Sequence, residues 1–167
     1  MGRCVPLALL LVVTAIGSAR AQAVPPTDLR AVDEFIDAPR TLFGRTGDTV
    51  ERALGAPVAR RPRALPGSSH AVLDPVEELV YPGAVVFVSR RSGGLRRVQI
   101  TQPHWGWPRG LNVGAPRAQV EQALGEPQAA TDVSLLYLYS DAYPDTVEFS
   151  FVDGRVQRIE WLYAPPD

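Results

Sequence analysis

The chain has 167 residues, with 17 basic side chains against 18 acidic ones and a net charge of −1. That length can bury one substantial core, and that charge balance excludes the broadly basic surface with which proteins grip nucleic acid. The one cysteine, Cys4, lies near the N-terminus, so the rest of the chain can hold no disulfide, thiol nucleophile or thiolate metal site.

Residues 1–23 have the pattern of a secretory signal peptide. Arg3 gives a positive start, Val5 to Ile16 is an apolar run, and two small-x-small sites follow, Ala19-Arg20-Ala21 and Ala21-Gln22-Ala23. They allow cleavage before Gln22 or before Val24. The second releases a polar, proline-containing start. The apolar run is too short for a stable membrane anchor, and no second run follows. Cys4 precedes that run and leaves with it, whereas a lipoprotein cysteine would follow it. Losing Arg3 and Arg20 leaves 15 arginines and 18 acidic residues, a net charge of −3. The expected address is the periplasm or the exterior, in soluble form.

Residues 24–40 form an N-terminal arm or short helix. Leu29, Val32, Phe35 and Ile36 recur at spacings of three and four, with Thr27 as a possible cap and Asp37-Ala38-Pro39 as the stop. Next comes an eight-residue motif used twice. Val50-Glu51-Arg52-Ala53-Leu54-Gly55-Ala56-Pro57 returns 70 residues later as Val120-Glu121-Gln122-Ala123-Leu124-Gly125-Glu126-Pro127, with six of the eight positions identical. Gly44 and Gly114 stand six residues before the two valines. Each motif predicts a short helix ended by Gly55 or Gly125 and kept from continuing by Pro57 or Pro127. Thr46 is the expected N-cap of the first, and Pro116 the expected first residue of the second.

Strands are expected over 78–81, 84–90 and 95–101 in the first copy, and over 135–139, 146–152 and 155–163 in the second. Val147, Phe149 and Phe151 alternate with polar residues, as in a sheet with one buried face. Asp153-Gly154 predicts a two-residue hairpin, and the phase of Ile159, Trp161 and Tyr163 against Val156 places a bulge near Gln157. Residues 58–73, rich in Arg, Pro, Gly and Ser, read as a long loop. The sequence therefore predicts an α+β fold, a tandem repeat of a short helix plus a three-stranded antiparallel meander. Residues 41–102 are the first copy, 103–110 a linker and 111–167 the second copy, the copies pairing edge to edge or packing face to face.

Gly114, the helix ending of residues 120–127, and Phe151-Val152-Asp153-Gly154-Arg155-Val156-Gln157-Arg158-Ile159-Glu160 resemble a group of exported bacterial modules. The group includes the small lipoprotein subunit of the outer-membrane barrel-assembly machinery and the secreted beta-lactamase inhibitor protein, itself a tandem repeat. The resemblance is clear over residues 110–163 and fair over 42–101. It implies an envelope or secreted location, binding by sheet and loops, and no catalysis. The chain lacks both the acylated cysteine of the lipoproteins and the disulfides of the inhibitor.

Candidate sites are few. His70 with Ser68, Ser69 and Asp74 lies in the long loop and reads as solvent-facing, without a nucleophile motif. His104 is isolated, and two histidines 34 residues apart do not make a zinc site. Asp141, Asp145 and Asp153 punctuate turns without the dense spacing of a calcium loop. No catalytic residue, metal or cofactor is expected. The candidate partner-binding residues are Trp105, Trp107, Tyr143, Arg90, Arg91, Arg96 and Arg97. The two tryptophans either plug the seam between the copies or stand in a partner groove. The arginine pairs flank one hairpin turn and would converge at its end, beside the Arg60-Arg61-x-Arg63 cluster of the long loop. The expected function is a non-catalytic, exported protein-binding or envelope scaffold module. Its expected partner is an envelope or secreted protein, with lipid headgroups and glycans as further candidates. The alternatives are a secreted stoichiometric enzyme inhibitor and a lipid-headgroup or small-ligand binder.

Overall fold

The computed structural model describes residues 23–66, 73–140 and 145–164, which excludes the signal-peptide region, the Ser68-Ser69-His70 cluster and Tyr143. The apolar face of residues 29–36 grows into a 15-residue helix, α1 (Leu29–Phe43), capped by Asp28, whose carboxylate accepts from the Ala31 amide. Thr27 is not the cap. Its hydroxyl donates to the Glu126 carbonyl, 99 residues away. The helix also runs through its expected stop. Pro39 has no N–H to give the Phe35 carbonyl, but the Trp161 indole donates to that oxygen at 2.9 Å. The Tyr163 hydroxyl does the same for Ile36 at 2.9 Å. A proline break legible in sequence is thus repaired from the sheet.

The two motifs form α2 (Gly47–Leu54) and α3 (Arg117–Leu124), ended by Gly55 and Gly125 at φ 81° and 80°. Thr46 caps α2 and exchanges hydrogen bonds with Thr49. Pro116 is the cap of α3 rather than its first residue. Val50, Val120 and Leu124 are buried and Leu54 is half-buried, whereas Ala53, expected inside, is exposed.

The strands are β1 (Ala59–Pro66), β2 (Leu73–Tyr81), β3 (Ala84–Ser89), β4 (Leu95–Ile100), β5 (Ala129–Ala130), β6 (Ser134–Leu138), β7 (Thr146–Val152) and β8 (Arg155–Leu162). They overturn the expected tandem repeat of helix plus three-stranded meander. All eight lie in one antiparallel sheet, in the order β1-β2-β3-β4-β8-β7-β6-β5, with three helices against it. The sheet is continuous because β4 pairs with β8, Val98 facing Trp161 and Ile100 facing Ile159. Of the expected long loop, residues 67–72 lie outside the described residues and Ala59–Pro66 forms β1 instead. This strand sits at the sheet edge, where Pro62 is tolerated. Its arginines pair across to β2, Arg60 to Glu77 at 3.3 Å, Arg61 to Glu78 at 3.5 Å and Arg63 to Glu78 at 2.6 Å. Charge pairing holds this strand where an apolar pattern was sought.

Residues from all three helices join one face of the sheet in the main core. Phe35 stacks on Phe149 and Trp161 at centroid distances of 5.3 and 5.4 Å, and Ile159 and Phe151 are buried nearby. A smaller cluster of Leu65, Val76 and Phe87 lies on the opposite face. The Asp153-Gly154 hairpin forms with positive φ at both residues, and the register of β7 with β8 shifts where Gln157 is extra.

Candidate functional site

The structure separates the sequence candidates. Trp107 is 3 % exposed and belongs to the core, 4.8 Å from Trp161 and edge-on to Phe43. Trp105 is half-buried against Phe43 and beside His104. The four hairpin arginines do not converge. Arg90 and Arg91 are exposed at the β3–β4 turn. Arg96 is 2 % exposed, ion-paired to Asp74 and donating to the Tyr163 carbonyl. The bulge explains its burial: Val88 faces Leu95 and Phe87 faces Arg97, so Arg96 is the extra residue. Arg97 lies over the Phe87 ring and 3.5 Å from Glu160. Asp74, expected from sequence to face solvent with His70, is buried and accepts from Ser89 and Arg96. Asp145 is an anchor, bound to Arg40 at 2.7 Å and to the Ala164 amide. Among the described residues, no three His, Cys, Asp or Glu side chains gather as a metal site.

A cleft of about 440 Å³ opens instead between α2 and the outer strands of the first half. Its floor is Leu79 and Val88, and its walls carry Asp48 and Glu51 from α2, Arg60 from β1, Glu77 from β2, and Arg90 from the β3–β4 turn. Arg60 bridges Glu51 at 2.5 Å and Glu77 at 3.3 Å. The hydrogen bond to Glu51 keeps the Arg60 guanidinium above its ordinary pKa. Beside this pair, the Tyr81 hydroxyl is buried with no hydrogen-bond partner among the described residues. Burial raises the Tyr81 pKa, with Glu51 adding to the rise and Arg60 opposing it. The cleft offers charges of both signs over an apolar floor.

The cleft exists because of two small residues. Backbone pairing matches positions across the sheet: Ala59 faces Val80 as Ala129 faces Leu136, and Val85 faces Val80 as Glu148 faces Leu136. By that match Gly47 corresponds to Arg117, Val88 to Phe151 and Tyr81 to Tyr137. In the second half Arg117 reaches Glu121 at 2.8 Å and the Thr131 carbonyl at 2.7 Å, and its guanidinium lies 5.4 Å from the Phe151 centroid. Gly47 and Val88 leave the corresponding space open. The 70-residue spacing of the two motifs, carried three residues upstream, is the signal that could have set Gly47 against Arg117; the sequence reading did not use it. What it lacked was the strand register that sets Val88 against Phe151.

No family model matches the chain, and no curated protein matches it. Among solved structures, the uncharacterized protein yfeY from Escherichia coli is similar, with 15% sequence identity and a TM-score of 0.43 over 69% of this chain and 86% of that one. No helix among the described residues is long and apolar enough to cross a membrane.

Proposed function

We propose that the protein is an exported, non-catalytic module that binds another protein through the cleft between α2 and β1–β3. The observation that carries this reading is the contrast between two corresponding places, one filled by Arg117 and Phe151 and the other left as a 440 Å³ cleft behind Gly47 and Val88. A concave surface with an apolar floor and a few convergent polar groups is the usual form of a recognition site. Arg60 is held between Glu51 and Glu77 in ion pairs, an arrangement that suits recognition better than proton transfer. The signal-like N-terminus and the resemblance of residues 110–163 to exported modules support export, and a secreted enzyme inhibitor is one form of the same reading. The cleft's volume also favours a second reading, a small zwitterionic ligand held between Asp48 and Arg90.

Crosslinking in intact cells of the native host tests the proposal. The wild-type protein should capture a specific, saturable protein partner outside the cytoplasm, and Gly47→Arg should abolish that capture while folding normally. Capture unchanged by Gly47→Arg would overturn the cleft as the contact. An empty capture, with a small ligand co-purifying only with the wild type, would favour the second reading.

A further inference from the structure

The end of α3 is covered by the chain itself. The extended residues 25–28 lie against it, with the Glu126 amide donating to the Pro25 carbonyl at 2.9 Å and the Asp28 amide donating to the Leu124 carbonyl at 2.9 Å. The Thr27 hydroxyl donates to the Glu126 carbonyl, and Gln122 reaches the Ala23 carbonyl at 3.4 Å. The approach is so close that a Cβ on Gly125 would overlap the Pro26 carbonyl. Beneath, the Tyr137 hydroxyl donates to the Gly125 carbonyl at 3.0 Å.

The end of α2 repeats the backbone and lacks the cover. Gly55 has the same positive φ, and its amide donates to Glu51 as that of Gly125 donates to Glu121. Val58 donates to Val80 as Gln128 donates to Leu136. Yet among the described residues nothing stands within 4 Å of a Cβ built on Gly55, Ala56 is exposed and Val58 is 71 % exposed. Tyr81, the counterpart of Tyr137, is 6 % exposed, and its hydroxyl has no partner among the described residues. A buried phenol without a partner is costly to keep. Here it lies where its counterpart is satisfied.

We infer that the last turn of α2 and the Gly55-Ala56 link form a docking groove for an extended, proline-containing segment of the partner protein. The segment binds as residues 25–28 bind α3. Its carbonyl accepts from the Ala56 amide, its amide donates to the Leu54 carbonyl, and Gly55 permits the close approach. Seating it fixes the Gly55 carbonyl as acceptor for the Tyr81 hydroxyl. Prolines pre-order the segment, which lowers the entropy lost on binding. The contacts are to backbone, so the difference between Ala56 and Glu126 does not prevent them. The inference rests on the protein-binding reading and supplies the chemistry of the partner.

The test is a titration of the purified, isotope-labelled exported protein with a synthetic peptide of the sequence of residues 23–28, followed by NMR. Saturable shifts of the Leu54, Gly55 and Ala56 amides and of the Tyr81 ring are expected, and a proline-free peptide of the same composition otherwise should give none. Tyr81→Phe removes one hydroxyl that makes no bond in the free protein, so the fold should survive while the peptide binds about tenfold more weakly. Shifts confined to residues 124–127, which would mean displacement of the chain's own arm, would overturn the groove. So would silence at 54–58, or equal binding of the proline-free peptide. Failure here beside loss of cellular capture in Gly47→Arg would remove the groove and leave the protein-binding reading standing.

Discussion

The two ends of the sheet are built on matching backbones and finished differently. At the β5–β8 end, Arg117 fills the space beside α3, residues 25–28 cover its last turn, and Tyr137 has its acceptor. At the β1–β4 end, Gly47 leaves a cleft beside α2, Gly55 stands uncovered and Tyr81 has no partner. The difference lies in side chains and in one arm rather than in topology. Even the bulges match, with Arg96 the extra residue against β3 and Gln157 the extra residue against β7. One end is closed by the chain's own side chains and arm, and on the protein-binding proposal the other is where a partner acts.

The largest effect should come from breaking what both ends share. Trp107 packs on Trp161 in the centre of the sheet and on Phe43 at the end of α1. Trp107→Ala should cost about 3–5 kcal/mol in a denaturant unfolding titration. A small loss would remove Trp107 from the shared core. The next test compares the two ends directly. Gly125→Ala adds a methyl group into the Pro26 carbonyl at positive φ and should cost about 3 kcal/mol. Gly55→Ala meets the same φ strain with open space around it and should cost about 1 kcal/mol. Equal losses would mean that the arm contributes nothing at α3.

Much of the second half was legible because its signals are local. The alternation of Val147, Phe149 and Phe151, the Asp153-Gly154 turn and the Leu124-Gly125 helix ending each specify geometry within a few residues. The first half was harder to read because its edge strand is held by long-range charge pairing. Arg60, Arg61 and Arg63 look like loop residues until β2 brings Glu77 and Glu78 within ion-pair distance. Pro39 misled for the same reason, since the donor that replaces its missing N–H is the Trp161 indole, 122 residues further on. The arginine patch dissolved because Arg96 is buried against Asp74 and Arg97 is held by Phe87 and Glu160, while Arg90 and Arg91 stay exposed at the turn. The cleft needed strand register as well as the pairing of Gly47 with Arg117, which lies just upstream of the two motifs.

A smaller effect separates the two tyrosines. Tyr137→Phe removes the bond to Gly125 and should cost about 1 kcal/mol, while Tyr81→Phe removes a buried hydroxyl that has no partner and should be neutral or slightly stabilising. Unfolding midpoints of the two variants, measured side by side, decide this. A loss for Tyr81→Phe as large as that for Tyr137→Phe would show that its hydroxyl is satisfied in solution.

The smallest expected change in stability carries the most information about function. Gly47→Arg places at the start of α2 the side chain that α3 already has. Arginine favours a helix over glycine by up to about 1 kcal/mol. A Cβ at position 47 meets Val88 at 3.4 Å, tight enough that the valine must give slightly. The guanidinium can reach Glu51, four residues on, as Arg117 reaches Glu121. Stability should therefore stay within about 0.5 kcal/mol of wild type, because the helix gain is offset by competition with Arg60 for Glu51. The cleft, however, should fill. If binding uses the open end of the sheet, this variant folds like the wild type and loses its partner. If it folds and keeps its partner, the asymmetry between the two ends is architectural and the contact lies elsewhere.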